Sequence, residues 1–118
     1  MSKHNELGKN GEKIARQFLI DKGHHILAVN FRYGHKEIDI ISAVRDMVIF
    51  SEIKTRSSLY YSFPEEAVTT AKQMLIKSAA EHFLDDHPGF RQCRFDVISI
   101  VLRSNELIQI RHYEDVFC

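Results

Sequence analysis

The sequence predicts an α/β fold, a mixed β-sheet flanked by helices with the element order αβββαβ and a further edge strand. Three observations predict it. A segment of helical periodicity comes first, three β-branched apolar runs separated by turn sequences follow, and a long second helical pattern leads into an apolar run of strand length.

In the first segment, Asn5 to Lys22, residues Leu7, Gly11, Ile14, Ala15, Phe18 and Leu19 recur at helical spacing, and Gly23 supplies a left-handed stop. Gly8 and Gly11 each weaken a helix by about 1 kcal/mol relative to alanine. They either admit a close approach by another backbone or a ligand, or are simply tolerated. His25–Arg32, Glu37–Val44 and Met47–Lys54 then form an antiparallel meander, broken at Tyr33-Gly34-His35-Lys36 and at Arg45-Asp46. Ser62-Phe63-Pro64-Glu65 forms a capping box with proline in the first turn, so the second helix is expected to begin there. Its apolar stripe is Ala67, Val68, Ala71, Leu75, Ala79 and Phe83, and Pro88-Gly89 ends it near His87. Phe95–Leu102 is apolar almost throughout, as in a strand covered on both faces, whereas Leu107–Tyr113 alternates like a half-exposed edge, with Asn105 in the turn between. A right-handed crossover through the second helix makes the third and fourth strands parallel.

The 118 residues suffice for one core, and we expect a single domain over 1–118. Sixteen basic residues balance sixteen acidic ones, so any attraction to phosphate must be local rather than global. The two cysteines, Cys93 and Cys118, form no CxxC or Cys/His pattern, which suits a reduced protein. The first residues are polar and no apolar run reaches the ~18 residues of a membrane span, so a cytoplasmic protein is expected. The seven histidines show no zinc spacing and are expected at the surface. Asp96, beside Arg94, is expected in a structural ion pair.

The chemistry turns on the register of the second hairpin. A two-residue loop at Arg45-Asp46 pairs Val44 with Met47 and sets Asp39 opposite Glu52 and Glu37 opposite Lys54, all on one face. A three-residue loop would instead set Ser51 opposite Asp39, and Arg-Asp is a poor type I′ sequence. Opposed carboxylates with Cβ atoms about 4.5–5.5 Å apart repel unless a cation lies between them. Glu52 and Lys54 point the same way, their Cα atoms about 6.6 Å apart, so carboxylate and ammonium converge. Mg²⁺ takes oxygen ligands and is held by one or two carboxylates plus substrate phosphate, and it lowers the pKa of a bound water. Asp39 and Glu52 suit that ion, and Lys54 suits the orienting of water or the steadying of an oxyanion. Spacing alone favours a bland reading, a Glu52–Lys54 surface pair worth under ~1 kcal/mol with Asp39 solvated. Against it, charges interrupt two isoleucine-rich strands where apolar residues would bury better.

Gly11-Glu12-Lys13-Ile14-Ala15, Glu37-Ile38-Asp39-Ile40-Ile41, Ser51-Glu52-Ile53-Lys54-Thr55-Arg56 and Arg94-Phe95-Asp96-Val97-Ile98 together resemble the YraN-like family of predicted endonucleases. That family lies in the PD-(D/E)xK, restriction-endonuclease-like superfamily. The resemblance covers nearly the whole chain. It implies a restriction-endonuclease-like αβββαβ core and metal-dependent hydrolysis of DNA phosphodiesters, branched or junction DNA included, with RNA left open. It also implies Asp39, Glu52 and the Ile53 backbone carbonyl as ligands of Mg²⁺ or Mn²⁺, Lys54 as the catalytic lysine, and Glu12 and Glu37 as further acidic residues. Lys36 stands where the family typically has glycine and Ser51 where it has an apolar residue. Neither is expected to touch a ligand, although both can alter the local turn and the packing behind Glu52.

Arg56, Tyr60 and Tyr61, after the third strand, and Lys72 and Gln73, on the second helix, are candidates for binding nucleic acid, with a solvated polar surface as the alternative. A homodimer would suit symmetric cutting. A non-catalytic nucleic-acid-binding module that kept the fold is the rival from another class, supported by the neutral net charge.

Overall fold

The structure is a computed structural model that describes residues 6–57 and 69–117. Helix α1, Glu6–Asp21, ends in a Schellman motif. Gly23, at φ 96°, donates its N–H to Ile20, and His24 donates to Leu19, at 3.0 and 2.9 Å. The strands are β1 (His25–Tyr33), β2 (Lys36–Val44), β3 (Met47–Arg56), β4 (Gln92–Arg103) and β5 (Glu106–Phe117), with helix α2 (Thr70–Asp85) between β3 and β4. The expected order is therefore present, with strands one to four residues longer at their ends than the sequence pattern marks. Among the described residues no helix is long and apolar enough to cross a membrane.

The five strands lie in the order β1-β2-β3-β4-β5, and β3 and β4 run parallel as the crossover requires. The loop between β2 and β3 has two residues, with Val44 opposite Met47. Arg45 alone carries the positive φ, 56°, which is the pattern of a II′ rather than a I′ turn. The Asp46 carbonyl accepts N–H groups from Arg91 and Gln92, at 3.0 and 3.4 Å, so tertiary bonds hold a turn that its sequence favours poorly. At the far edge, Ser104 and Asn105 both take positive φ, and Arg103 pairs with Glu106.

Helix α2 corrects the expected start and stripe. The helix that reaches Asp85 begins at Thr70 under an N-cap, Thr69, whose hydroxyl accepts the Lys72 N–H at 3.2 Å. It runs between four and five turns rather than six. The capping box at Ser62–Glu65, with Ala67 and Val68, falls outside the described residues. Ile76, Ala79, Ala80 and Phe83 face the core, while Ala71 is exposed and Leu75 is 49% exposed. The expected stripe therefore holds at Ala79 and Phe83 and fails at Ala71 and Leu75, where Ile76 faces inward instead.

Two cores sandwich the sheet. Ile76, Ala79, Ala80 and Phe83 of α2 pack on Ile38, Ile41, Val48, Phe50, Phe95 and Val97. Ala15 and Leu19 of α1 pack on Ile40, Ile53, Ile98, Ile100 and Leu102 on the other face. β4 alternates between them and is buried from Phe95 to Leu102, while β5 stays largely uncovered.

A buried polar cluster ties β5 to β4. Asp96, 2% exposed, accepts two bonds from Arg94 at 2.9 Å each and the N–H of Asp115 at 3.0 Å, with His112 Nε2 2.7 Å away. Burial raises the Asp96 carboxyl, but these donors outweigh it and hold the group below its ordinary value. The Arg94–Asp96 pair is as expected. Two histidines are not at the surface, however: His112 lies in this cluster and His24 is buried against Ser42, Nδ1 to Oγ at 2.9 Å. Each has a polar partner in the interior, Ser42 for His24 and Asp96 for His112.

Gly11 is the point where α1 meets the sheet. A Cβ there would stand 2.7 Å from Thr55 Cγ2 and 2.8 Å from its Cβ, on a β-branched side chain with little freedom to move. Close approach, not tolerance, explains this glycine. Gly11→Ala gains roughly 1 kcal/mol of helix propensity but overpacks the contact by about 1–3 kcal/mol. Urea unfolding should therefore show a net loss of stability, whereas stabilisation would mean that α1 is free to shift.

Candidate active site

The β2–β3 ladder holds its expected register through Ile40 opposite Ser51 and ends there, one step short of Asp39 and Glu52. Beyond it the Ile53 N–H donates to Asp39 Oδ2 at 2.8 Å. A side chain has replaced the neighbouring strand as acceptor. The alternation of β2 also breaks at this residue, since Ile38 packs in the α2-side core and Ile40 in the α1-side core although they are two residues apart. Across from them Asn30, between Val29 and Phe31 of β1, is at φ 52°. The expectation that Glu37, Asp39, Glu52 and Lys54 share one regular face is thus corrected: β2 turns over at Asp39, and neither Asp39–Glu52 nor Glu37–Lys54 is a ladder pair.

Asp39 and Glu52 nevertheless act on each other. The Asp39 carboxyl is pushed up to about 7, first by burial, then by the Glu52 charge and by Glu12, against the bond from Ile53 and the charge of Lys36. Glu52 meets lysines at both oxygens: Lys36 Nζ is 3.3 Å from Oε1 and Lys72 Nζ is 3.9 Å from Oε2. The Lys36 and Glu52 side chains are only 12% and 13% exposed. Burial lowers the Lys72 ammonium, Glu52 raises it, and Lys54 and Lys36 lower it further, so Lys72 has two lysine neighbours and shares the Glu52 carboxylate with one of them, Lys36. Lys36, a departure not expected to touch a candidate ligand, is therefore a direct partner of Glu52. Ser51, next to Glu52, is buried, and its Oγ has no hydrogen-bond partner among the described residues.

Glu12 reaches the site from α1, where Gly11 brings the helix against Thr55. With Lys9, Lys13 and Arg16 it walls a cleft of about 180 Å³ that has Asp39 and Ile40 in its floor. Lys72 comes from the opposite helix, so α1 and α2 deliver charge to one strand end from the two faces of the sheet. Lys9, Lys13, Arg16 and Lys36 are the site residues that sequence reasoning missed. The signal for the first three was their spacing at i, i+4 and i+7 beside Glu12.

The remaining candidates are less tightly drawn in. Glu37 is half-buried on β2 with Arg32 as its cross-strand neighbour. Arg56 ends β3 beside Val101, and Gln73 donates its backbone N–H to Thr69 in the first turn of α2. Tyr60 and Tyr61 lie outside the described residues. Ile53 places its side chain in the α1-side core and its amide on Asp39, which fixes the segment whose carbonyl is a candidate ligand.

Two mutually repelling carboxylates with a third nearby form an all-oxygen donor set of the kind a hard divalent cation takes. Among the described residues no group of three or more histidine, cysteine, aspartate or glutamate side chains is close enough to hold an ion alone. Asp39 and Glu52 would therefore need water or substrate oxygens to complete a shell, which is the ordinary condition for Mg²⁺.

The folded-state pKa of Asp39, about 7, lies above its unfolded value of 3.8. The folded protein thus keeps a proton that the unfolded chain releases between those values. This contribution to stability is full below 3.8 and is lost as pH rises through about 7. Urea titrations in chelator should show wild-type stability falling from pH 4 to pH 8 relative to Asp39→Asn, which can still accept the Ile53 N–H. Parallel pH curves for the two proteins would contradict the raised pKa.

Comparison with known proteins places this site in a family. The model of the uncharacterised protein family UPF0102 matches residues 11–100, which span Glu12, Asp39, Glu52 and Lys54. The chain is 37% identical to a UPF0102 protein of Flavobacterium psychrophilum over 99% of this chain and 98% of that one. It is 42% identical to one from Natranaerobius thermophilus, over 93% and 95%, and 45% identical to one from Chloroherpeton thalassium, over 80% and 74%. The chain belongs to the UPF0102 family, the YraN family that its four motifs resemble.

Proposed function

We propose that this protein is a divalent-metal-dependent endonuclease that hydrolyses DNA phosphodiester bonds, branched or junction DNA among them, in the cytoplasm. The observation that carries the reading is the part-buried Asp39 carboxyl, held by the Ile53 amide and raised to about 7 first by burial and then by the charge of Glu52, which itself pairs with Lys36 and Lys72. A protein gains nothing structural from two like charges so placed, and a cation between them removes the conflict. Asp39 and Glu52, with the Ile53 carbonyl, would hold Mg²⁺ or Mn²⁺. When bound, that ion supplies Lewis-acid stabilisation of the phosphorane charge and a water acidic enough to attack at neutral pH.

The protein's own groups then have distinct roles. Lys54 Nζ donates a hydrogen bond that orients the attacking water or steadies a non-bridging phosphate oxygen, where negative charge grows. Lys36 and Lys72 balance Glu52 before substrate arrives, and Lys72, at 3.9 Å the longer of the two pairs, would be the one to turn toward a phosphate were Glu52 held by a cation. Glu12, in the wall of the cleft above Asp39, orients water on the α1 side. Arg56, Tyr60 and Gln73 are proposed contacts for the flanking backbone and bases.

The lysine pairing of Glu52 also supports a second reading, a nucleic-acid-binding module that has no need of a metal. A nicking assay separates the two. Purified protein with Mg²⁺ or Mn²⁺ should cut plasmid, branched or single-stranded DNA, and Glu52→Ala or Lys54→Ala should slow cutting by about a hundredfold or more while circular dichroism stays native. Wild-type protein that binds DNA without cutting it, with or without metal, would establish the binding module instead.

A further inference from the structure

Three cations on α1 have no role in the chemistry above. Lys9, Lys13 and Arg16 line the cleft above Asp39, and none of their side chains forms an ion pair or hydrogen bond with another described residue. They lie at i, i+4 and i+7, a single row along the helix about 10.5 Å long. Like charges in such a row repel one another, and the 16:16 charge balance of the whole chain makes their concentration here a local feature.

The cleft, about 180 Å³, is smaller than the roughly 300–1,000 Å³ of a pocket that encloses a drug-sized ligand. It suits a strand passing across it rather than a small molecule within it. The row matches three successive phosphate-to-phosphate steps along one strand, about 10 Å at 3.4 Å each. The contact of Gly11 with Thr55 fixes α1, which carries the row on another side, against β3. A backbone laid on the row would pass directly over the Asp39 end of the sheet.

We infer that the Lys9-Lys13-Arg16 face of α1 is a phosphate-binding rail that holds one nucleic-acid strand by its backbone and threads it past Asp39. The inference rests on the nuclease reading for what happens to the strand, but not for its binding. The rail reads phosphates rather than bases, so it is indifferent to sequence and strongly dependent on salt.

Fluorescence anisotropy tests it, with labelled DNA and RNA strands of the same sequence and the full chain in chelator, from 50 to 200 mM salt. The triple variant Lys9→Gln, Lys13→Gln, Arg16→Gln should bind at least tenfold more weakly, with the slope of log affinity against log salt reduced by about 2, at ~0.7 per lost single-strand contact. The charge-conserving triple Lys9→Arg, Lys13→Arg, Arg16→Lys should bind like the wild type. So should Arg91→Gln, at the opposite end of β4. A loss confined to DNA or to RNA names that polymer as the ligand. Equal affinity and slope in the neutralised triple would overturn the rail even in a protein that cuts DNA. Rail-dependent binding without metal-dependent cutting would leave the rail standing and overturn the nuclease reading.

Discussion

The bond from the Ile53 amide to the Asp39 carboxylate marks where the sheet stops being a ladder and becomes a site. Up to Ile40 and Ser51 the strands satisfy each other's backbone groups. One residue on, a side chain does that work, and the Asp39 carboxylate is fixed close to Glu52 despite the repulsion between them. An amide can hold a carboxylate against such repulsion because the alternative is a buried N–H with no acceptor. The strain of the site is therefore carried by the fold around it.

Both faces of the sheet contribute to that support. β2 turns over at Asp39, so Ile38 anchors it in one core and Ile40 in the other, and the carboxylate between them cannot move without disturbing both. α1 brings Glu12 and its cationic row from one side through the Gly11–Thr55 contact. α2, capped at Thr69, brings Lys72 from the other in its first turn. The Asp96 cluster, which ties β4 to β5, keeps the far edge of the sheet in place without taking part in the chemistry.

Much of this was legible in the residues. The register of the second hairpin followed from Val44, Arg45, Asp46 and Met47, and the parallel pairing of β3 with β4 from a crossover of helical length. What stayed hidden depends on contacts between distant segments. The flip at Asp39 involves Asn30 on another strand, and periodicity within Glu37–Val44 does not record it. The capping box at Ser62 outweighed the single Thr69 hydroxyl as a sequence signal, which displaced the expected stripe of α2. His24 and His112 look like surface residues until Ser42 and Asp96 are folded against them. Lys36 marked itself only as a departure from a family pattern, and its ion pair with Glu52 arises from the turn between β1 and β2.

The account stands or falls on whether a divalent cation resolves the Asp39–Glu52 conflict. Calorimetric titration of Mn²⁺ into the full chain at pH 6 and pH 8 addresses this directly. It should show one ion per chain, bound more tightly at pH 8, where Asp39 is ionised, and lost in both Asp39→Asn and Glu52→Gln. Binding that is unchanged by either substitution, or absent in the wild type at pH 8, would contradict it.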